Sequence, residues 1–295
     1  MKKKINIALI TILQMGCYCN SQNSMIIDSI SKKPIPFVNV QAGDEGLYSN
    51  NDGIANLSSL KKFHTISLTH IGYYDKQIKL NKVEDSILMS PRPIEIKEIV
   101  VSGQSKELLF QPLKKAGNFG SWVLSPKNEL LTIIRPKQTE NRILRSVSFP
   151  FANSNEKLRH NNHVEAAMVR INIYKVENNV PFTQIYSSIP IETNSIEKDL
   201  ITLEFDENMI ELTSDGLCFG IEMLGYYDEL GNSIDGNSYV RPILTNKVFD
   251  EFYTSTLLRN VFGDNNIFKP ITSVLTEMSS QNISERNLSI GLVLY

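Results

Sequence analysis

The chain is poor in the residues that staple or arm small proteins: it has three cysteines, one tryptophan and four histidines in 295 residues. Two of the cysteines, Cys17 and Cys19, fall in the N-terminal leader described below, so removal of the leader leaves Cys218 alone and excludes an intramolecular disulfide. Stability must then come from packing. With 30 basic and 32 acidic residues the formal charge is −2, which sets up no field to gather a polyanion and argues against nucleic acid as a partner. No apolar run reaches the roughly 20 residues that a membrane-spanning helix needs. There is no Gly-x-Ser-x-Gly elbow and no phosphate-cradling glycine loop. None of His64, His70, His160 and His163 has Glu three residues on, the pairing by which a zinc carboxypeptidase keeps one coordination position open for water.

Hydrophobic residues make up 41% and charged residues 21%, a balance that supports packed cores rather than disorder. The length suits one large or two ordinary domains. At the N-terminus, Lys2, Lys3 and Lys4 precede the apolar run Ile5 to Leu13, and small or polar residues continue through Ser21. This is the layout of a secretory signal peptide spanning residues 1–21, with cleavage after Ser21. Lipoprotein processing at Cys17 is the alternative: Gly16 suits it, Gln14 and Met15 do not.

From Lys33 to Tyr74 the sequence reads as short strands and tight turns. Pro34 and Pro36 predict an extended lead-in to Phe37, Val38 and Val40. Asn50-Asn51-Asp52-Gly53 predicts a hairpin reversal, and Ile66 and Leu68 alternate with Thr65, Ser67 and Thr69 at the period of a half-buried strand. Ile78 with Leu80, Ile87 to Met89, and Ile94 to Val101 add further short strands. The succession Lys33-Pro-Ile-Pro-Phe-Val-Asn-Val40, Ser49-Asn-Asn-Asp-Gly-Ile-Ala-Asn-Leu57 and Ile71-Gly-Tyr73 resembles the carboxypeptidase-like regulatory domain. That family is a transthyretin-like β-sandwich found in Gram-negative envelope proteins, including the N-terminal extensions of TonB-dependent receptors. The resemblance covers about residues 25–101, implies a small sandwich over 22–101, and implies no peptidase activity, since the family is named for a non-catalytic accessory domain.

Residues 102–120 read as a linker with one short helix around Leu108, Leu109 and Leu113, ended by Gly117. About 175 residues then remain, too few for a 22-stranded receptor barrel. Over 121–295, period-two apolar residues recur at Ile143/Val147/Phe149, Ala167/Val169/Ile171/Ile173, Ile201/Leu203/Phe205, Leu217/Phe219/Ile221/Met223 and Leu288/Ile290/Leu292/Leu294. This predicts a second, larger, jelly-roll-like β-sandwich, and hence an all-β chain. Val248, Phe249, Phe252, Tyr253, Thr256 and Leu257 fit helical spacing, so a helix is expected there, with strands as the alternative reading. Some of these segments, Arg170 to Val176 and Phe219 to Glu222, are similar to sandwich domains of secreted envelope proteins, among them carbohydrate-binding jelly rolls.

Chemistry-bearing candidates are sparse. His160, His163 and Glu165 form a loop cluster that reads as solvated surface before it reads as a metal site. Asp228, Asn232 and Asp235 place oxygen ligands in one loop, yet depart from the calcium-loop template and lack its closing Glu. Cys218 has no base to activate it and reads as structural. His70 shares a face with Ile66 and Leu68. Aromatic rings stack on sugars, which makes Trp122, Tyr226, Tyr227 and Tyr239, with Arg241, the candidate ligand-binding residues. No cofactor or metal is expected. The sequence therefore predicts an exported, non-enzymatic envelope protein, periplasmic, outer-membrane-associated or on the cell surface, that binds a protein partner. A carbohydrate-binding module is the first alternative and an unrecognised hydrolase the second.

Overall fold

The computed structural model describes residues 23–93, 107–139, 141–152, 166–193, 199–205, 210–228, 233–234, 240–263 and 267–295. The signal peptide, Ile94 to Val101, His160, His163, Glu165, Asn232, Asp235 and Tyr239 lie outside these residues.

Seven strands build the first sandwich: β1 (Asn23–Asp28), β2 (Asn39–Ala42), β3 (Glu45–Tyr48), β4 (Ile54–Asn56), β5 (Thr65–Thr69), β6 (Lys76–Lys79) and β7 (Ser86–Met89). One sheet has the order β4-β1-β7, with β1 parallel to β7, and the other the order β3-β2-β5-β6. Alternation decides which side chains meet between them: Ile26, Val40, Ile66, Leu68, Ile87 and Met89 are all buried in one core. The Asn50 to Gly53 turn forms, with Gly53 at φ +73° and the Asn50 carboxamide accepting from Asp52 N and Ile54 N. It is not a hairpin, however, because β3 pairs with β2 while β4 pairs with β1, so the turn carries the chain from one sheet to the other. The two-residue reversal is Gly43-Asp44, between the paired Ala42 and Glu45. Nor is Phe37 extended: it sits at φ +52° in a Pro36-Phe37 turn.

The second unit follows with β8 (Leu108–Phe110), β9 (Asn128–Pro136), β10 (Arg142–Pro150), β11 (Ala166–Glu177), β12 (Val180–Ser187), β13 (Ile191–Glu192), β14 (Leu200–Glu204), β15 (Glu211–Leu212) and β16 (Leu217–Tyr227). It is completed by β17 (Ser233–Ile234), β18 (Leu244–Thr245), β19 (Phe252–Asn260), β20 (Lys269–Pro270), helix α1 (Ile271–Ser279), β21 (Asn287–Leu288) and β22 (Gly291–Leu294). The larger sheet runs β12-β11-β16-β9-β19-β20, with β13 on β11 and β17 on β16; the smaller runs β14-β10-β22-β8, with β15 on β10. Their facing sides bury Leu130, Ile134, Val147, Phe149, Val169, Ile171, Phe219, Ile221 and Leu292 in one core. The chain is all-β, and α1 is the single α-helix among the described residues. None of those residues belongs to a helix long and apolar enough to cross a membrane.

Both expected helices are strands. Leu108 to Phe110 pairs with β22, and Phe252 to Asn260 pairs along its length with β9, because cross-strand packing of β-branched and aromatic side chains outweighs a short helical period. The real helix, Ile271–Ser279, places Ile271 and Leu275 one turn apart against the sandwich core. Strand β9 escapes a search for alternation because Leu130-Leu131-Thr132-Ile133-Ile134 is buried on both faces.

Candidate functional site at the junction of the two sandwiches

The outer face of the large sheet carries an unusual row. Arg170 on β11 pairs in register with Glu222 on β16, Glu222 with Glu129 on β9, and Glu129 with Arg259 on β19. Four adjacent strands thus present Arg, Glu, Glu, Arg side by side. Like charges directly opposite on neighbouring strands repel, so the central pair of carboxylates needs flanking cations and donors.

These are present. Glu222 accepts from Arg170 Nε and Nη2, both at 3.0 Å, from Asn172 Nδ2 at 2.8 Å and from Tyr48 Oη at 2.6 Å. Glu129 accepts from Asn172 Nδ2 at 2.9 Å, Tyr174 Oη at 2.8 Å and Arg259 Nε at 2.7 Å. The two amide hydrogens of Asn172 bridge the carboxylates, while its carbonyl accepts from Gln184 and Ser187 at 2.8 Å each. A carboxylate offers about four acceptor positions, and the protein itself fills those of Glu222. Gly220 is part of the construction: a Cβ there would stand 2.1 Å from Glu129 Oε1, so only glycine lets the carboxylate lie over β16.

Tyr48 belongs to the first sandwich, and the network is therefore a junction. Arg170 Nη1 donates to Phe37 O at 3.2 Å, and the left-handed Phe37 backbone is what turns that carbonyl toward the guanidinium. Phe37 packs edge-on against Tyr227 at 5.8 Å, Tyr48 lies 4.9 Å from Phe262, and Gln41 Nε2 donates to Phe262 O at 3.1 Å. A Cβ on Gly46 would stand 2.0 Å from the Phe262 ring, so β3 presses directly on the second unit.

Burial and charge act together here. Burial alone would raise Glu222, but the Arg170 guanidinium and its hydrogen bonds hold the carboxyl below the usual range. Burial pushes Tyr48 and Tyr174 well up, reinforced by Glu222 and Glu129 respectively. His70 falls to about 4, first through burial and then through the nearby Arg170 charge, while its Nδ1 lies 2.6 Å from Ile71 O. Cys218, fully buried on the same outer face, is raised by burial and packs on Leu131, Ile133 and Tyr174.

Of the described candidates, Tyr226 and Tyr227 are closed to a ligand, while Trp122 and Arg241 lie on adjoining segments, Trp122 N donating to Pro242 O at 3.0 Å. Tyr226 is fully buried in the core of the second sandwich, and Tyr227 is buried beneath Phe37, because every residue of β16 is covered on both faces. Neither ring can serve as an open sugar platform. Trp122 packs partly buried against the core, and Arg241 is half-buried in a strap where its carbonyl accepts from Ala152 N. Among the described residues, no three His, Cys, Asp or Glu side chains gather as a metal-holding group. Alternation hides the junction residues in the sequence: Arg170, Asn172, Tyr174 and Glu222 alternate with buried apolar neighbours, the pattern of any strand with one wet face. Runs such as Arg-x-Asn-x-Tyr on a long strand are the signal that could have flagged them.

No family model matches the chain, and no curated protein matches it. Among solved structures, the chain is similar to one described as the cysteine protease and lectin-like domains of Cwp84, a surface layer associated protein of Clostridium difficile. The identity is 12% and the TM-score 0.35, over 66% of this chain and 37% of that one. The chain thus spans well under half the length of that structure, and likeness at this level carries no argument about function.

Proposed function

We propose that this protein is an exported, non-enzymatic binding module of the cell envelope, whose two sandwiches act as one rigid body and hold a protein partner. The observation that carries this reading is the saturation of the junction. Its acids and bases are spent on one another, and the phenol, amide and guanidinium groups that surround them are donors to the same two carboxylates. Such a network sets geometry rather than chemistry, since a catalytic acid or base must reach a substrate proton. The leader at Lys2 to Leu13 supports export. Sheet edges supply the binding surface: β12 ends the large sheet, with Val180 40% and Phe182 69% exposed. Edges of this kind accept an added strand.

The reading is tested by crosslinking the mature protein in envelope extracts and rebuilding the captured pair from purified components. Phe182→Lys is expected to weaken the rebuilt pair at least tenfold. Equal affinity of the variant, or turnover of a substrate by the purified chain, would refute it.

A further inference from the structure

At the far end of the same outer sheet face, away from the junction, Tyr253 on β19 is 56% exposed. Two cations converge on its ring: Arg135 Cζ at 5.1 Å and Lys137 Nζ at 5.4 Å from the centroid. Arg135 is the register partner of Tyr253, and Lys137 follows on the same face at the end of β9. Arg135 is held in place, since its Nη1 donates at 2.7 Å to Asn179 Oδ1 in the β11–β12 turn, where Asn178 and Asn179 both adopt positive φ. Among the described residues, neither cation has a carboxylate partner, although Glu251 pairs through its backbone with Lys137 and is exposed. Elsewhere on this face both arginines, Arg170 and Arg259, are neutralised by glutamates.

We infer that Tyr253, Arg135, Lys137 and Asn179 form a binding site for a carboxylate-bearing polysaccharide. Two unneutralised cations supply the counter-charge for a carboxylate, the fixed guanidinium presents paired donors to it, and an exposed ring and a carboxamide complement the apolar and hydroxyl parts of a sugar. The nearby Glu251 and the chain's formal charge of −2 leave too weak a field for a densely phosphorylated polyanion, which favours a ligand whose acids are spaced by hydroxyl-bearing rings. The site adjoins the start of β12 through Asn179 but uses neither Val180 nor Phe182, so it is read apart from a protein partner held on that edge.

The test is affinity electrophoresis of the full mature chain through gels containing polygalacturonate, with dextran and polyglutamate gels alongside. Retardation is expected in polygalacturonate alone. It should fall at least fivefold in Tyr253→Ala and in the Arg135→Gln/Lys137→Gln pair, and be retained in Tyr253→Phe. Thermal melts confirm that the variants fold; should Tyr253→Ala not fold, Lys137→Gln, an exposed change, carries the comparison with at least a twofold loss. No retardation in polygalacturonate, equal retardation in polyglutamate, or unchanged binding by the alanine variant would each overturn the assignment, the second by showing a surface that answers to charge alone. Because partner capture through β12 is read separately, loss of one result leaves the other standing.

Discussion

Glu222 shows most directly how single residues make this molecule. Its carboxylate accepts four hydrogen bonds, two from Arg170 and one from Asn172 of the second sandwich and one from Tyr48 of the first. Removing it strands the buried Arg170 charge, so Glu222→Ala is expected to lower stability by about 3–5 kcal/mol, measured by urea denaturation. Replacing both partners at once, Arg170→Met with Glu222→Leu, should cost clearly less than the single change, because no unpaired charge remains. Gly220→Ala tests the same site from below. Its Cβ would lie 2.1 Å from Glu129 Oε1 and force that carboxylate off its partners, with an expected loss of about 1–3 kcal/mol in the same assay. Residue types alone do not disclose any of this: Arg170 and Glu222 are 52 positions apart, and only the pairing of β11 with β16 makes them neighbours.

At the level of elements, legibility follows burial pattern. Strands with one wet face, such as β5 with its Ile66 and Leu68, are readable from period two. Strand β9, covered on both faces, is not, although it is the strand that contributes Glu129 and the register of Arg259. Turn residues are legible as turns but not as connections: Asn50 to Gly53 is correctly a reversal, yet it joins different sheets. Gly53 holds φ +73°, and a Cβ there would lie 2.8 Å from Ile26 O. Gly53→Ala should therefore destabilise the first sandwich by about 1–3 kcal/mol, seen as faster hydrogen exchange of β1 and β4 amides than in the wild type. Phe37 is the opposite case, a bulky residue at φ +52° that composition reads as extended. It is retained in that conformation by Tyr227 on its ring and Arg170 on its carbonyl.

For the whole molecule, the junction predicts coupled unfolding. The two sandwiches have separate cores, but the shared network and the Gly46–Phe262 contact join them. Calorimetry at pH 7 should show one transition, and Arg170→Ala should split it into two. Acid should weaken the same joint. His70 is held near 4 in the fold against 6.5 in the open chain, so between those values the unfolded state takes up a proton that the folded state refuses. Stability from this group is complete above about pH 6.5 and is lost as the pH falls toward 4. With partial exposure allowed for, the loss is about 1–2 kcal/mol. Glu222, held by Arg170 below the ordinary glutamate value of 4.5, contributes stability that is present above that pH and lost below it. The melting temperature should therefore fall from pH 7 to pH 4, and His70→Gln should flatten the part of the curve above pH 4.5; a curve unchanged by the substitution would refute the assignment.

The amino-acid order by itself determined that the chain is all-β and built from many strands, because alternation is a local property. It also puts Arg170, Asn172 and Tyr174 of β11 on the face opposite Val169, Ile171 and Ile173. Only the tertiary structure decided that this polar face is buried, that Arg170, Glu222, Glu129 and Arg259 stand in one row, and that Tyr226 and Tyr227 are closed to ligand while Tyr253 is open. Those facts depend on strand register and on the first sandwich covering one end of the second. Register and covering are set by contacts between residues far apart in the chain, to which no local period can point.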